Sequence, residues 1–388
     1  MLTCRHAGVC GGCSLLHLSY TDQLARKTTR LNELLGDVLP SRSLAEPASL
    51  FLPVDHADSG PAHFRHKVSF VFDNDPRSAA LLMGHHERGT KRVVPVSECP
   101  VHSVRGNRIA FTLRDYLATA RIEAAGPSLS GILRYVIVRT TADEREAVAM
   151  LVVTRNDKSL RAPLRAFLAS PERPDGLFVN INDDPGPLMV GDRTIKIAGR
   201  AQVREQVGGV SYLISPTAFF QTSPAAAAVL QRAVVDSMRG CASVLDLYCG
   251  SGLFSLPLAM AGARVFGIEE NRQAIEDAER NARLNNVPSS RVRFRSARVE
   301  DAVRTAARER WDGVVLDPPR SGCSDDVLEA VFQDLRPARV TYVSCNPESL
   351  AMELPGILQC GYRVTQLNAV DMFPHTDHIE AIVQLSRD

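Results

Sequence analysis

Ser243-Val244-Leu245-Asp246-Leu247-Tyr248-Cys249-Gly250-Ser251-Gly252 is an apolar run that ends in a glycine-rich turn, and the residues after it read as the start of a helix. Glycines at such a turn let the backbone approach a ligand closely. The next run, Arg264 to Glu269, ends in Gly267-Ile268-Glu269 and leads into a helical pattern over 271–284. Further strands are expected at 292–295, 311–316, 340–344 and 379–385. Strands alternating with helices predict an α/β domain over 215–388, a doubly wound Rossmann-like sheet whose ligand sits at the carboxyl ends of its strands.

Glu269 closes the second strand, where an acid can accept hydrogen bonds from both hydroxyls of a ribose. The glycine spacing is not the G-x-G-x-x-G of a pyrophosphate binder, and no P-loop lysine follows. A nucleoside cofactor without phosphates fits that turn better, which points to S-adenosylmethionine. The competing assignment makes Glu269 a cap of the following helix; the accompanying glycines favour the cofactor.

Two stretches at the same sheet edge carry chemistry. The strand Arg339-Val340-Thr341-Tyr342-Val343-Ser344 runs straight into Cys345-Asn346-Pro347, which places a thiol where a buried strand opens into a turn. A free thiol has a pKa of about 8.5 and needs partners to act as a nucleophile. Beside a methyl donor, a thiolate that adds to C6 of a uracil makes C5 electron rich, and a base must later remove the C5 proton. Glu380 is the candidate base, at the end of Phe373-Pro374-His375-Thr376-Asp377-His378-Ile379-Glu380 and followed by Ala381, Ile382 and Val383. Apolar neighbours should desolvate it and raise its pKa; an edge-strand acid in water is the alternative. Cys241, Cys249, Cys323 and Cys360 are expected to be inert.

The rest of the chain sorts into two further zones. Residues 47–214 hold β-branched runs at 68–72, 80–83, 134–138 and 149–153, separated by turns such as Asp73-Asn74-Asp75-Pro76, and predict a β-rich antiparallel α+β domain. Residues 1–46 hold Cys4, Cys10 and Cys13, then Leu24, Leu31, Leu34 and Leu35 at helical spacing over 20–39, closed by Pro40-Ser41-Arg42-Ser43. A chain of 388 residues suffices for two or three domains. Lys+Arg 45 against Asp+Glu 44 gives a net charge of +1, so any surface for a polyanion must be local. No apolar run is long enough to span a bilayer and no basic start precedes an apolar segment, so a cytoplasmic protein is expected. In such a chain nine cysteines indicate metal binding or catalysis rather than disulfides. Cys4, Cys10 and Cys13 with the distant Cys99 would suit either zinc or an iron-sulfur cluster.

Taken together, Ser344-Cys345-Asn346-Pro347, Asp317-Pro318-Pro319-Arg320-Ser321-Gly322 and the Phe-Pro-His-Thr-x-His-Ile-Glu segment resemble the RNA uracil-C5 methyltransferase family, and Phe219-Phe220-Gln221 resembles that family's Phe-x-Gln segment. The resemblance implies that Gln221, Tyr248, Glu269 and Asp317 contact S-adenosylmethionine or lie beside the target base, with Cys345 as nucleophile and Glu380 as base. Cys4-x5-Cys10-Gly11-Gly12-Cys13, His17-Leu18-Ser19-Tyr20 and Glu98-Cys99-Pro100 resemble the iron-sulfur members, which implies a [4Fe-4S] cluster on Cys4, Cys10, Cys13 and Cys99. The likeness is strongest to the shorter enzymes that methylate a 23S ribosomal RNA loop, the uracil-747 type. It implies an RNA partner, no DNA, and a monomer; because the chain starts at the cysteines, an additional N-terminal RNA-binding β-barrel is not expected. A transfer RNA substrate is the alternative. No residue is assigned to the adenine, since 296–301 reads Ser-Ala-Arg-Val-Glu-Asp.

If RNA is bound, Phe64-Arg65-His66-Lys67 is the expected grip on its backbone, because cations and an aromatic interleave at a strand edge. Two readings of other classes compete. An amino-group methyltransferase would carry an aromatic after Asp-Pro-Pro, where this chain has Arg320; a non-enzymatic iron-sulfur RNA-binding module would not need the acid, thiol and glycine turn together.

Overall fold

The computed structural model describes residues 2–36, 50–54, 61–186 and 188–387. It divides into two compact units, one of Met1–His17, His56–Glu205 and Ile214–Thr217, the other of Leu18–Asp55, Gln206–Leu213 and Ala218–Asp388. The first helix, α1 (Tyr20–Leu35), belongs to the second unit, whereas Cys4, Cys10 and Cys13 belong to the first. The expected single 1–46 segment is therefore shared between units. Its proposed end at 46, and the stop at Pro40-Ser41-Arg42-Ser43, lie outside the described residues.

In the first unit the strands are β1 (Lys67–Asn74), β2 (Leu81–His86), β3 (Val93–Pro95), β4 (Leu133–Thr140), β5 (Ala147–Val153), β6 (Gly176–Ile181) and β7 (Arg193–Gly199), in the order β3-β2-β1-β4-β5-β6-β7. Neighbours are antiparallel except β5 and β6, which are parallel. The antiparallel α+β domain expected from the turns is thus corrected at one pair, β5 and β6. After β5 the chain makes α3 (Arg161–Leu168) and re-enters the sheet in the same direction, the kind of crossover that a parallel neighbour requires. Helix α2 (Val104–Thr119) starts at Ser103, whose hydroxyl accepts from the Gly106 amide at 3.1 Å, and buries Ile109, Leu113 and Leu117 completely. Each such side chain contributes roughly 2 kcal/mol.

A hairpin of β8 (Val203–Val207) and β9 (Val210–Ile214) carries the chain into the second unit. There the strands are β10 (Ser243–Leu247), β11 (Arg264–Glu269), β12 (Val292–Ser296), β13 (Gly313–Leu316), β14 (Arg339–Ser344), β15 (Arg363–Val370) and β16 (Glu380–Ser386), in the order β12-β11-β10-β13-β14-β16-β15. Pairing is parallel from β12 to β14, and β16 is antiparallel to both its neighbours. The order reverses between β11 and β13, on either side of β10, which makes the end of β10 the switch point where ligands bind in such sheets. Helices α4 (Pro224–Ser237), α5 (Ser255–Met260), α6 (Arg272–Leu284), α7 (Val299–Ala306), α8 (Asp325–Glu329) and α9 (Pro347–Gln359) connect the strands. No helix among the described residues is long and apolar enough to cross a membrane.

Candidate active site and cysteine pocket

Strand register brings the two reactive candidates together. Ser344 pairs with Ala381 across β14 and β16, so the next step along that antiparallel ladder sets Cys345 against Glu380. Val370 pairs with Glu380 from the other side. Glu380 is only 2 % exposed, which removes the solvated edge-strand alternative. Burial pushes its carboxyl up to about 8. Asp317, at the end of β13, is raised well above the carboxylate range by burial and then by the charges of Glu380, Asp246 and Glu269. The half-buried Cys345 thiol is pushed up to about 11 by burial and by the Glu380 and Asp317 carboxylates, with the Arg320 guanidinium opposing. Glu380, Asp317 and Cys345 therefore share one field.

The same acid row continues to β10 and β11. Asp246 is fully buried, and burial raises it to about 7; its Oδ2 accepts from the Ser255 hydroxyl, while its Oδ1 has no hydrogen-bond partner. Sequence reasoning assigned Asp246 no role, although an acid inside Val-Leu-Asp-Leu was the available signal. Glu269 accepts from the Gly250 amide at 3.2 Å and from the Asn271 amide at 2.8 Å. Helix α6 is capped by Asn271, whose side chain accepts from the Ala274 amide, so Glu269 is free of the capping role.

Backbone strain marks the turn between Glu269 and Asp246. Tyr248, Gly250 and Gly252 have φ of 65°, 52° and 89°. A non-glycine residue at such an angle costs energy that the surroundings must hold in place. Nothing lies within 4 Å of the position a Gly250 Cβ would take. An open cradle beside an orphaned buried carboxylate oxygen fits a nucleoside cofactor lying across this turn. Tyr248 is half-buried, with its phenol raised by burial and by Cys323. Gln221 is buried on the turn that leads into α4 rather than at the strand edge.

The loop after Asp317 is tied to the start of α9. Asn346 donates from Nδ2 to the Arg320 carbonyl at 2.8 Å and to the Ser349 hydroxyl at 2.7 Å. Glu353 on α9 accepts from the Cys323 amide at 3.0 Å and from the Tyr342 hydroxyl at 2.7 Å. Arg320 Nη2 lies 3.3 Å from His378 Nδ1. Arg320 thus stands near the candidate thiol, with its charge acting on Cys345.

In the first unit Cys4, Cys10, Cys13 and Cys99 line one cavity of about 390 Å³. Burial and then the Cys99, Cys10 and Cys4 sulfurs push Cys13 up to about 12, and burial pushes Cys99 up to about 11. The Gly12 amide donates to Cys10 Sγ at 3.4 Å. A Cβ on Gly11 would come 2.9 Å from the His86 carbonyl, so the Cys10-Gly11-Gly12-Cys13 turn needs glycine to lie against β2. Four cysteine sulfurs lining one pocket are a donor set that suits a metal ion or a metal-sulfur group. His85 and His102, missed in the sequence, belong here too: their ring nitrogens and Cys99 Sγ lie within 4.8 Å of one another, and the buried His102 Nδ1 has no hydrogen-bond partner.

Arg65 also lines this cavity, with its charge interacting with Cys99 and Cys13. Lys67 is pushed down to about 8 by burial and by Arg139 and Arg65. The expected RNA grip at Phe64-Arg65-His66-Lys67 is therefore corrected: Arg65 turns to the cysteines, and neither cation stands on an exposed edge.

A family model described as tRNA (Uracil-5-)-methyltransferase matches residues 192–388. The chain belongs to this family. Over 395 residues it is 33% identical to an uncharacterized RNA methyltransferase of Geobacter sulfurreducens, covering 99% of this chain and 76% of the relative. An uncharacterized RNA methyltransferase of Caldanaerobacter subterraneus is 30% identical over 394 residues, covering 99% and 84%. Among solved structures, the Pyrococcus abyssi tRNA (uracil-54, C5)-methyltransferase in complex with S-adenosyl-L-homocysteine superposes with a TM-score of 0.78 at 29% identity, covering 97% of this chain and 84% of that one. The uracil-5-methyltransferase family and its S-adenosylmethionine chemistry thus account for the α/β sheet and its open glycine turn.

Proposed function

We propose that this chain methylates C5 of a uridine in RNA, in a 23S ribosomal RNA loop of the uracil-747 type, with Cys345 as nucleophile and Glu380 as base. The observation that carries the reading is the register that sets Cys345 against Glu380 at the carboxyl edge of the sheet. The Cys345 sulfur, as thiolate, forms a bond to C6 of the uracil, and the C5=C6 electron pair becomes an enolate nucleophilic at C5. S-adenosylmethionine supplies the sulfonium methyl that C5 then takes, leaving S-adenosylhomocysteine. Glu380 removes the C5 proton, the C5=C6 bond re-forms, and the C6–S bond breaks to return the thiolate. Gln221, Tyr248 and Glu269 would hold the cofactor, and Asp317 would lie between cofactor and base. The target base must leave its stack, which costs least in a loop.

The cysteine pocket supports a [4Fe-4S] cluster on Cys4, Cys10, Cys13 and Cys99, in keeping with the four sulfurs and the cationic Arg65 in one cavity. Iron, sulfide and zinc analysis of protein purified without oxygen tests that assignment, and zinc without sulfide would overturn it. Activity is tested by incubating the chain with labelled methyl donor and separate transcripts of the ribosomal RNA loop and of a transfer RNA. Label at one uridine of the loop is expected. Label on the transfer RNA alone would favour the second reading, a transfer RNA enzyme, which the likeness to the Pyrococcus abyssi protein motivates.

A further inference from the structure

Helix α1 lies outside the matched segment 192–388, yet its side chains reach both flanks of the reactive pair. The inner face of α1 carries Gln23, Lys27, Thr28, Leu31 and Leu35, so two long polar side chains are buried where an amphipathic helix would present apolar ones. Their partners lie in the 371–379 loop, which joins Val370 to Glu380 and so sets where the acid begins its strand.

Gln23 holds His375 at two points. Its Oε1 accepts from the His375 amide at 2.9 Å, and its Nε2 lies 3.2 Å from His375 Nδ1. His375 has φ of 65°, a left-handed conformation that a non-glycine residue keeps only when its surroundings enforce it. Lys27 Nζ donates to Asp371 Oδ1 at 2.7 Å and to the Phe373 carbonyl at 3.2 Å, with both charged side chains at most 2 % exposed. A buried ion pair adds little net stability, but losing its geometry is costly, which suits fixing a conformation. Arg30 donates to the Asp377 carbonyl at 2.8 Å and pairs with Glu348. Asp377 precedes Glu380 by three residues, and Glu348 follows Cys345 by three.

We infer that α1 is a clamp for the reaction, in which Gln23 is a positioning residue for Glu380 and Arg30 is a positioning residue for Cys345 and Glu380 together. This inference rests on the catalytic roles proposed above. Gln23 and the Lys27–Asp371 pair fix the loop behind the acid. Arg30 ties that loop to the segment carrying the thiol, so the spacing between sulfur and carboxylate is set from a helix more than 300 residues earlier in sequence. A misplacement of about 1 Å can lower a rate by about 10²-fold.

The test uses the full chain with two RNAs, one ordinary and one carrying 5-fluorouridine at the target. After methylation the fluorinated ring has no C5 proton to lose, so the covalent complex persists and its formation reports thiol addition and methyl transfer without the base. For Gln23→Ala we expect turnover on ordinary RNA to fall about 10- to 100-fold while trapping on the fluorinated RNA stays near the parent rate. A methylated covalent complex with ordinary RNA should then accumulate on denaturing gels. Arg30→Ala should slow both trapping and turnover, and Arg30→Lys should recover part of each; cofactor affinity should be unchanged in all three. Parent-like turnover by Gln23→Ala would overturn the inference. So would loss of trapping, turnover and cofactor binding together, which a general folding defect produces. Cys345→Ala is the separate arm: RNA trapped without that sulfur would overturn the catalytic reading itself, whatever the α1 variants do.

Discussion

Each unit presents cysteine to charged neighbours, and the signs of those neighbours differ. At the end of β14, Cys345 meets the carboxyls of Glu380 and Asp317, whose charges push its thiol up against the single opposing guanidinium of Arg320. In the first unit, Cys13 and Cys99 meet the guanidinium of Arg65, with His85 and His102 in the same cavity. Under the proposed assignment, four cysteine sulfurs with a cation beside them would suit a metal-sulfur group of net negative charge. A thiol among carboxylates is poor at forming a thiolate until a positive charge arrives. The sulfonium of S-adenosylmethionine is such a charge, so an acid row from Asp246 to Glu380 suits that cofactor.

The largest effect that would break this contrast comes from the two sulfurs themselves. Under the proposed roles, Cys345→Ala should reduce label transfer to RNA to background while leaving cofactor binding and iron content intact. Cys13→Ala should do the opposite to metal content: iron and sulfide per chain should fall sharply, read by elemental analysis and visible absorption. If Cys345→Ala lost metal, or Cys13→Ala left it untouched, the division of labour between the two units would be wrong. Glu380→Gln comes next. Loss of a general base costs about 10²–10⁴-fold, and because addition and methyl transfer precede proton removal, the methylated covalent complex should persist.

Some of this was written plainly in the sequence. The run from Ser243 to Gly252 and the repeat of strand and helix after it are local patterns, so the parallel sheet, the glycine turn and the edge position of Cys345 could be read directly. Strand β15 could not: Thr365, Gln366 and Asn368 interrupt its apolar pattern, and Arg363, Thr365 and Gln366 in its first half are exposed. Strand β7 failed for a related reason, since Arg193, Thr194 and Lys196 line a largely exposed edge. The direction of β6 and the grip of Gln23 on His375 are set by partners far away in the chain, in the latter case 352 residues apart. Arg65 was misread on the same grounds, because nothing near it in sequence reveals that its charge faces Cys99 and Cys13.

The acid row also makes a pH prediction with a definite sign. Glu380 has its pKa raised from an ordinary value near 4.5 to about 8, and Cys345 to about 11. Proton removal by the carboxylate follows the irreversible methyl transfer, so kcat should rise as pH climbs through about 8 and be lost as pH falls below it. Glu380→Gln should remove the limb near 8 and leave the one due to the thiol. Stability runs the other way: a raised folded-state pKa contributes stability that is present below pH 4.5 and is lost as pH rises through about 8. Thermal melts of the cofactor-free chain at pH 5 and 8.5 should therefore lie closer together for Glu380→Gln than for the parent; equal separation would place the acid in water.

Two glycines sharpen the contrast at the smallest scale. Gly250 has φ of 52° with open space where a Cβ would project, so Gly250→Ala meets no protein atom and bears only the left-handed backbone cost of about 1–2 kcal/mol. If the cofactor lies across that turn, the added methyl takes its place, and cofactor affinity should fall by more than the small loss of stability suggests. Gly11 is the reverse case: its Cβ would meet the His86 carbonyl at 2.9 Å, so Gly11→Ala pushes the cysteine turn away from β2. Metal retention should then suffer in Gly11→Ala and cofactor binding in Gly250→Ala, measured by iron content and by calorimetric titration on the same two proteins. A cofactor affinity unchanged by Gly250→Ala would mean that the open turn is not where the nucleoside lies, because a methyl group there cannot be accommodated beside a bound ribose without displacing it.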